Sequence, residues 1–364
     1  LTTKERMLAV YNNQQPYYIP VSIYSRFLKR GTQEREARRL GMGIIDYVPI
    51  TSLIAPPWHL TQGFFSEVKN AEFNIRYIWQ NGEISEIRTI NTPVGSVSQH
   101  LRKDPSYGTD WVDKFYIACP EDYKVMQYII ENTISRPNEK ALLKKQNELG
   151  DDGVVLGRLD RCPFQKMLIE IAGPEQFLVD IATDFAPAIE LLEVLEKKMD
   201  EQLDIAVNSA AEIFWSPENV TCDMTPPYYY EKYCLPHYKK RAERLNKTNK
   251  PLFLHFDGRL KPLTRLIADT PINGIESYSL PLVGNDLSFS EAQEAWPGKA
   301  ILPNFPSTLC LKDDSEIEAF LEQMLTEILP QTSVMLQISE DLPEEHYYRV
   351  SSLLVRFMRE KGRY

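Results

Sequence analysis

Lys250 to Leu260 reads KPLFLHFDGRL. Leu252, Phe253 and Leu254 form a short apolar run of the kind a buried parallel strand needs, and His255, Asp257 and Gly258 follow where that strand would end. In barrels of alternating strands and helices the C-terminal strand ends carry the chemistry, so a His-x-Asp-Gly at such an end is a candidate site. A buried His with a satisfied hydrogen bond, beside an Asp that caps the next helix, would give the same letters. The rest of the chain has to separate the two.

Working outward, seven further stretches read as strands: Tyr17 to Tyr24, Ile44 to Ile50, Gly153 to Leu159, Ser209 to Trp215, Gly274 to Tyr278, Ala300 to Asn304 and Ser333 to Ile338. Helical patterns follow them. Asp313-Asp314-Ser315 caps a helix with Ile317, Phe320, Leu321, Met324, Leu325 and Ile328 on one face, and Pro343 opens another with Val350, Leu353, Leu354, Phe357 and Met358 on one side. Eight strands, each followed by helix, is the count of a (β/α)8 TIM barrel. A doubly wound open sheet is the alternative, but no glycine-rich turn follows the first strand, as a bound dinucleotide would ask.

The alternation is interrupted after the second strand. Phe73, Ile75, Tyr77 and Trp79 alternate with polar residues, Asn81-Gly82 supplies the positive φ angles of a tight turn, and an Ile/Thr-rich return arm follows. The expectation is one domain over 1–364, with an inserted β-hairpin in a stretch of about 60–150 that forms part of a lid or an oligomer contact, a merely decorative surface hairpin being the alternative. A homodimer is one possibility this leaves open.

The formal net charge of −10 argues against a nucleic-acid partner, which wants a basic face. No apolar run is long enough to span a bilayer, and Leu1 to Arg6 is polar with no apolar stretch after it, so the chain is read as cytoplasmic with no membrane partner. Five widely spaced cysteines without a CxxC argue against a disulfide framework.

If the barrel is right, its strand ends collect Ser22, Arg26, Asp46, Arg158, Asp160, Glu218, Asn219, His255, Asp257, Glu276, Asn304 and Gln337 to Glu340. Carboxylates, a His and Args converging from distant parts of the chain would make an enzyme site. Each has a plainer role as well: Asp257 as a helix cap, Glu276 as a partner for an Arg, Asn304 satisfying loop backbone. For a metal, the His255 imidazole is the natural nitrogen ligand, with Cys234 or Cys310 as thiols that could reach it and core burial as the competing reading for both. His237 and His346, flanked by charged residues, read as surface; His59 and His100 lie in loops. Tyr228 to Tyr230, Phe64 and Phe65 hint at an aromatic or cation-binding pocket.

Several runs, in order and at fitting spacing, resemble one family. They are Thr3 to Met7 before the first strand, TPVGSVSQ (Thr92 to Gln99), Pro120-Glu121-Asp122-Tyr123-Lys124, PYYYEKYCLPHYKK (Pro227 to Lys240), HFDG (His255 to Gly258), GIESYSLP with Gly284 and Asp286, NFP (Asn304 to Pro306) and ISEDLP (Ile338 to Pro343). Over most of its length the chain resembles the uroporphyrinogen decarboxylase superfamily, in its methyltransferase-like branch. The resemblance implies a TIM barrel whose mouth either removes carboxylates from a tetrapyrrole or moves a methyl group to or from a corrinoid cobalt.

The decarboxylases carry an N-terminal Arg-rich signature that grips substrate carboxylates; here the region reads SIYSRFLKRG, with Arg26 but not the signature. The methanol- and methylamine-type methyltransferases carry His-x-Cys and a late Cys as zinc ligands, where this chain has Asp257 and Ile338-Ser339-Glu340. In O-demethylase relatives a zinc pattern of two Glu and a His is implied; counted back from His255 it lands on Cys234 and Asn219, with Glu218 adjacent. The resemblance therefore implies a zinc-assisted methyltransferase, with His255, Cys234 and Glu218 as metal ligands and Asp257, Glu276, Arg26, Asn304 and Glu340 shaping the pocket or placing a proton. It implies a small methylated ether, amine or thiol as substrate and a corrinoid supplied by a separate carrier protein, since the chain has no Asp-x-His-x-x-Gly signature. A tetrapyrrole carboxy-lyase and a non-catalytic relative are the alternatives.

Overall fold

The computed structural model of the 364-residue chain describes residues 1–55, 67–103 and 110–364. Its central feature is an eight-stranded parallel sheet made of β1 (Val21–Tyr24), β2 (Gly43–Pro49), β3 (Gly153–Arg158), β4 (Phe214–Ser216), β5 (Leu252–Leu254), β6 (Gly274–Tyr278), β7 (Ala300–Pro303) and β8 (Leu336–Ile338). The strands neighbour one another in chain order from β1 to β7, and β8 pairs with β1, Ser22 facing Gln337. Parallel bridges Ile301 to Val334 and Asn304 to Gln337 join β7 to β8 and close the ring. With helices between its strands, this is the expected α/β TIM barrel. Closure explains why the strands read as continuous apolar runs: both faces are covered, and most strand positions are buried.

A helix before β1 (Thr3–Tyr11) was not marked by its apolar pattern. It is fixed by a capping box, Thr2 accepting from the Glu5 N–H while Glu5 accepts from the Thr2 N–H. Its Met7, Val10 and Tyr11 join the barrel core with Ile45, Leu156, Phe253, Leu302 and Met335. The Tyr11 ring meets Phe253 edge-on at 4.8 Å between centroids.

The chain divides into two compact units: Leu1–Val48, Glu139–Arg158 and Ala210–Tyr364, which hold the barrel strands, and Pro49–Asn138 with Leu159–Ser209. The second unit contains the insertion. Its Asn81-Gly82 turn is where the sequence places it, but the hairpin is the first half of a four-stranded antiparallel meander, Glu72–Gln80, Glu83–Thr92, Gly95–Lys103 and Asp110–Lys114. The third strand was hidden because Gly95 to Lys103 is polar at many of its positions. Helices Pro120–Glu131, Pro174–Ala182 and Ala186–Asn208 complete this unit. Within it Lys166, fully buried, bonds Asp160 at 2.9 Å and Glu170 at 2.5 Å, and Arg161 bonds Glu170 at 2.8 Å, a paired network that leaves the buried charges compensated. His59, Phe64 and Phe65 lie outside the described residues. Among the described residues no helix is long and apolar enough to cross a membrane.

Candidate active site

Side chains alternate along a strand, so the residue that follows the core-facing Phe253 by two positions continues on the same side. That residue is His255, which carries its imidazole just beyond the end of β5 with 14% of the side chain exposed. The same alternation on β6 aims Glu276 inward, where it is fully buried. His255 Nδ1 lies 3.4 Å from Glu276 Oε2, and Nε2 lies 3.3 Å from Asp257 Oδ2. One imidazole thus bridges a buried acid and a partly exposed one. Glu276 Oε1 receives the Tyr24 hydroxyl from β1, and Asp257 Oδ2 receives the Asn219 side-chain amide at 2.7 Å. Asn219 is itself held in a left-handed conformation, φ 50°, with its N–H donating to the His255 carbonyl at 2.8 Å.

Aromatic rings wall the imidazole. Trp215 meets His255 edge-on at 5.9 Å and lies 5.3 Å from Tyr47, which also faces the Arg158 guanidinium at 6.0 Å. Burial pulls the His255 pKa down, but the Asp257 and Glu276 carboxylates outweigh it and raise it to about 10. The Ser277 N–H also points at Nδ1, at 3.0 Å, and a donor facing that nitrogen works against a proton on it. Two carboxylates outweigh one amide dipole, so the imidazolium is the form favoured at neutral pH. Burial would raise the Asp257 pKa, but His255 and Asn219 hold it below the usual carboxylate range. Tyr24 is pushed well up by burial and by Glu276, which keeps its proton on the phenol.

The other expected site residues divide. Asn304, past β7, accepts from the Ser339 N–H at 3.1 Å and its hydroxyl at 2.7 Å, and Ser339 meets the Ser277 hydroxyl at 2.7 Å. It therefore ties the loops beside the His255 cluster, the plainer role weighed for it. Glu340 accepts from the Ser307 hydroxyl at 3.0 Å. Arg26 is exposed in the turn Ser25–Phe27, with its guanidinium over the Phe27 ring at 4.6 Å.

The proposed ligand trio of His255, Cys234 and Glu218 is not assembled. Glu218 is buried and accepts from Ser216 at 2.5 Å and Tyr238 at 3.0 Å, with Arg241 at 3.8 Å, so its charge is already answered by protein. Cys234 is buried in the helical turn Tyr230–Cys234. Among the described residues no three His, Cys, Asp or Glu side chains converge as metal ligands. These residues do not fit the zinc set that the sequence suggested. His237, expected at the surface, is buried in the helix Leu235–Asn246. The Tyr228 and Tyr233 rings are faced by the chain's own Lys232, and Tyr230 is buried against Tyr238 and Phe256.

Sequence reading passed over Tyr24 and Trp215, which look like ordinary strand residues until closure turns the side chains of β1 and β4 into the same interior as those of β5 and β6. The available signal was parity: Tyr24, Trp215 and Glu276 all occupy inward positions.

The family model described as uroporphyrinogen decarboxylase (URO-D) matches residues 145–360, more than half of the chain. The chain belongs to that family. URO-D family members are generally enzymes, and the matched span carries His255, Asp257, Glu276 and Asn304. No curated protein matches the sequence. Among solved structures, a proposed vitamin-B12 independent methionine synthase from Listeria monocytogenes is similar at 15% identity over 62% of this chain and 70% of that one, with a TM-score of 0.38. A xylose isomerase domain protein from Planctomyces limnophilus is similar at 12% identity over 95% and 98%, with a TM-score of 0.40. At these scores neither adds to the assignment.

Proposed function

We propose that this URO-D family protein is a methyltransferase moving a methyl group between a small methylated ether, amine or thiol and the corrinoid of a separate carrier protein. The observation that supports this reading best is the imidazole of His255 held between Asp257 and Glu276, whose carboxylates raise its pKa, and partly exposed at a strand end of the barrel. When bound, the corrinoid supplies the nucleophilic cobalt that accepts the methyl group.

The residues of the chain serve the leaving group. As the carbon–heteroatom bond breaks, its electron pair stays on the heteroatom, and the Nε2 proton of His255 neutralises it. Asp257, oriented by Asn219, keeps that proton in place before transfer; Glu276, held by Tyr24, fixes the other side of the ring. The Trp215 ring, backed by Tyr47, gives the imidazole an aromatic wall on one side. No step is routed through zinc.

The test is to mix the protein with methylated candidates and a reduced corrinoid protein and to follow the cobalt spectrum. A methyl-cobalt spectrum that appears with a donor, and not with His255→Gln, supports the reading. Release of carbon dioxide from a porphyrinogen polyacid, or silence with every donor, overturns it in favour of a carboxy-lyase or a non-catalytic relative.

A further inference from the structure

Among the described residues, Glu72–Gln80 at one edge of the second unit's meander has no neighbouring strand on its outer side. Gln80 faces Glu83 across Asn81 and Gly82, whose φ angles of 52° and 82° make the two-residue turn in which the flanking residues exchange hydrogen bonds. Alternation from that pair directs the main-chain groups of Ile78, Arg76, Asn74 and Glu72 toward the neighbouring strand. Those of Trp79, Tyr77, Ile75 and Phe73 point to the free edge. Among the described residues no strand pairs with that edge.

The same four residues put their side chains on the face where the sheet is otherwise buried. Phe73 pairs with Ile90 and that with Val97; Tyr77 pairs with Glu86 and that with Leu101. Ile90, Val97 and Leu101 are buried, yet Ile75 is 47%, Tyr77 63% and Trp79 72% exposed. An edge strand that carries an apolar stripe and the open main-chain groups of four residues is normally blunted by charge or covered. The polar residues of this strand, Glu72, Asn74, Arg76 and Gln80, all lie on the opposite face.

We propose that Glu72–Gln80 is a homodimer contact, in which two copies of the chain pair this strand antiparallel about a two-fold axis at Arg76. The occupant is a second copy because the strand is complementary to itself. Reversal about Arg76 sets Phe73 opposite Trp79 and Ile75 opposite Tyr77, apolar against apolar on one face, and Glu72 opposite Gln80 on the other. The main-chain groups that meet are those left open in the single chain. Shifting the pairing by one residue would turn the apolar stripe of one copy against the polar face of the other. The two meanders become one eight-stranded sheet, and the two Arg76 side chains at the axis extend into water on the solvent face.

Sedimentation analysis of the full chain tests this. A dimer is expected, and Tyr77→Lys with Trp79→Lys weakens self-association by about tenfold or more while leaving the circular dichroism unchanged. Position 76 meets its copy in a pair without hydrogen bonds, where the Cα atoms are close enough for a disulfide. Arg76→Cys is therefore expected to give a covalent dimer on mild oxidation, reversed by a thiol reductant, where Gln80→Cys and the unaltered chain give none. A chain that stays monomeric, a dimer that tolerates both lysines, or a dimer in which Cys at position 76 does not cross-link overturns the proposal.

Discussion

The two sheets of this molecule answer the same problem in opposite ways. The barrel sheet closes on itself, so no strand of it has a free edge, and its inward positions hold a buried acid, a His and a Tyr that satisfy one another. Among the described residues the meander is open, and its edge strand Glu72–Gln80 carries Tyr77 and Trp79 exposed. Closure converts inward alternation into a polar site with fixed geometry; an open edge converts the same alternation into a surface that asks for a partner.

The largest expected effect falls on the closed sheet's chemistry. His255→Gln removes the Nε2 proton that Asp257 keeps in place, and the methyl-transfer rate is expected to drop by about 10² to 10⁴. Stopped-flow spectra of the corrinoid check it, and a loss below tenfold would mean that the polar interior is structural and the comparison is only one of packing. Next comes the fit of the barrel strands. A Cβ on Gly153 would lie 1.9 Å from the Ile44 carbonyl oxygen of β2, so Gly153→Ala should destabilise the protein by roughly 3 kcal/mol or more, read by denaturant unfolding.

The site's electrostatics give a third way to sharpen the contrast. Because the His255 pKa is raised from 6.5 to about 10 in the folded protein, its contribution to stability is fully present below about pH 6.5 and is lost as the pH rises through 10. Nuclear magnetic resonance should find the ring charged at pH 7. In Glu276→Gln its titration should move down toward the ordinary value, whereas His100, which burial and then Lys114 hold below the ordinary His value, should be unaffected. The smallest effect belongs to the open sheet: Trp79→Lys should change the stability of the isolated chain by no more than about 0.5 kcal/mol by thermal unfolding, because the indole is already in water.

How far the sequence could be read depended on the range of the forces involved. The apolar runs Leu252–Leu254 and Ala300–Pro303 and the capped helix Asp314–Thr326 are local patterns, and the structure has them where the letters place them. The hairpin turn at Asn81-Gly82 is local too, since two positive φ angles suffice to set it. The polar strand Gly95–Lys103 was missed because its position in the sheet is set by neighbours and not by its own alternation.

The candidate site divides along the same line. That His255 and Asp257 lie side by side was legible, since two residues beyond one strand end share a side. That Glu276 and Tyr24 join them, while Glu218 turns to Tyr238 and Arg241 and Cys234 packs into a helical turn, was not. The sequence by itself determined the repeating strand-and-helix pattern, the residue types available at the strand ends and the turn that opens the insertion, because each is written in contiguous residues through backbone preference and apolar period. Only the tertiary structure decided which acids face the imidazole and which side chains lose their water, because the register of a closed sheet and the burial it imposes are set by contacts between residues far apart in the chain, as Tyr24 and Glu276, 252 positions apart, are.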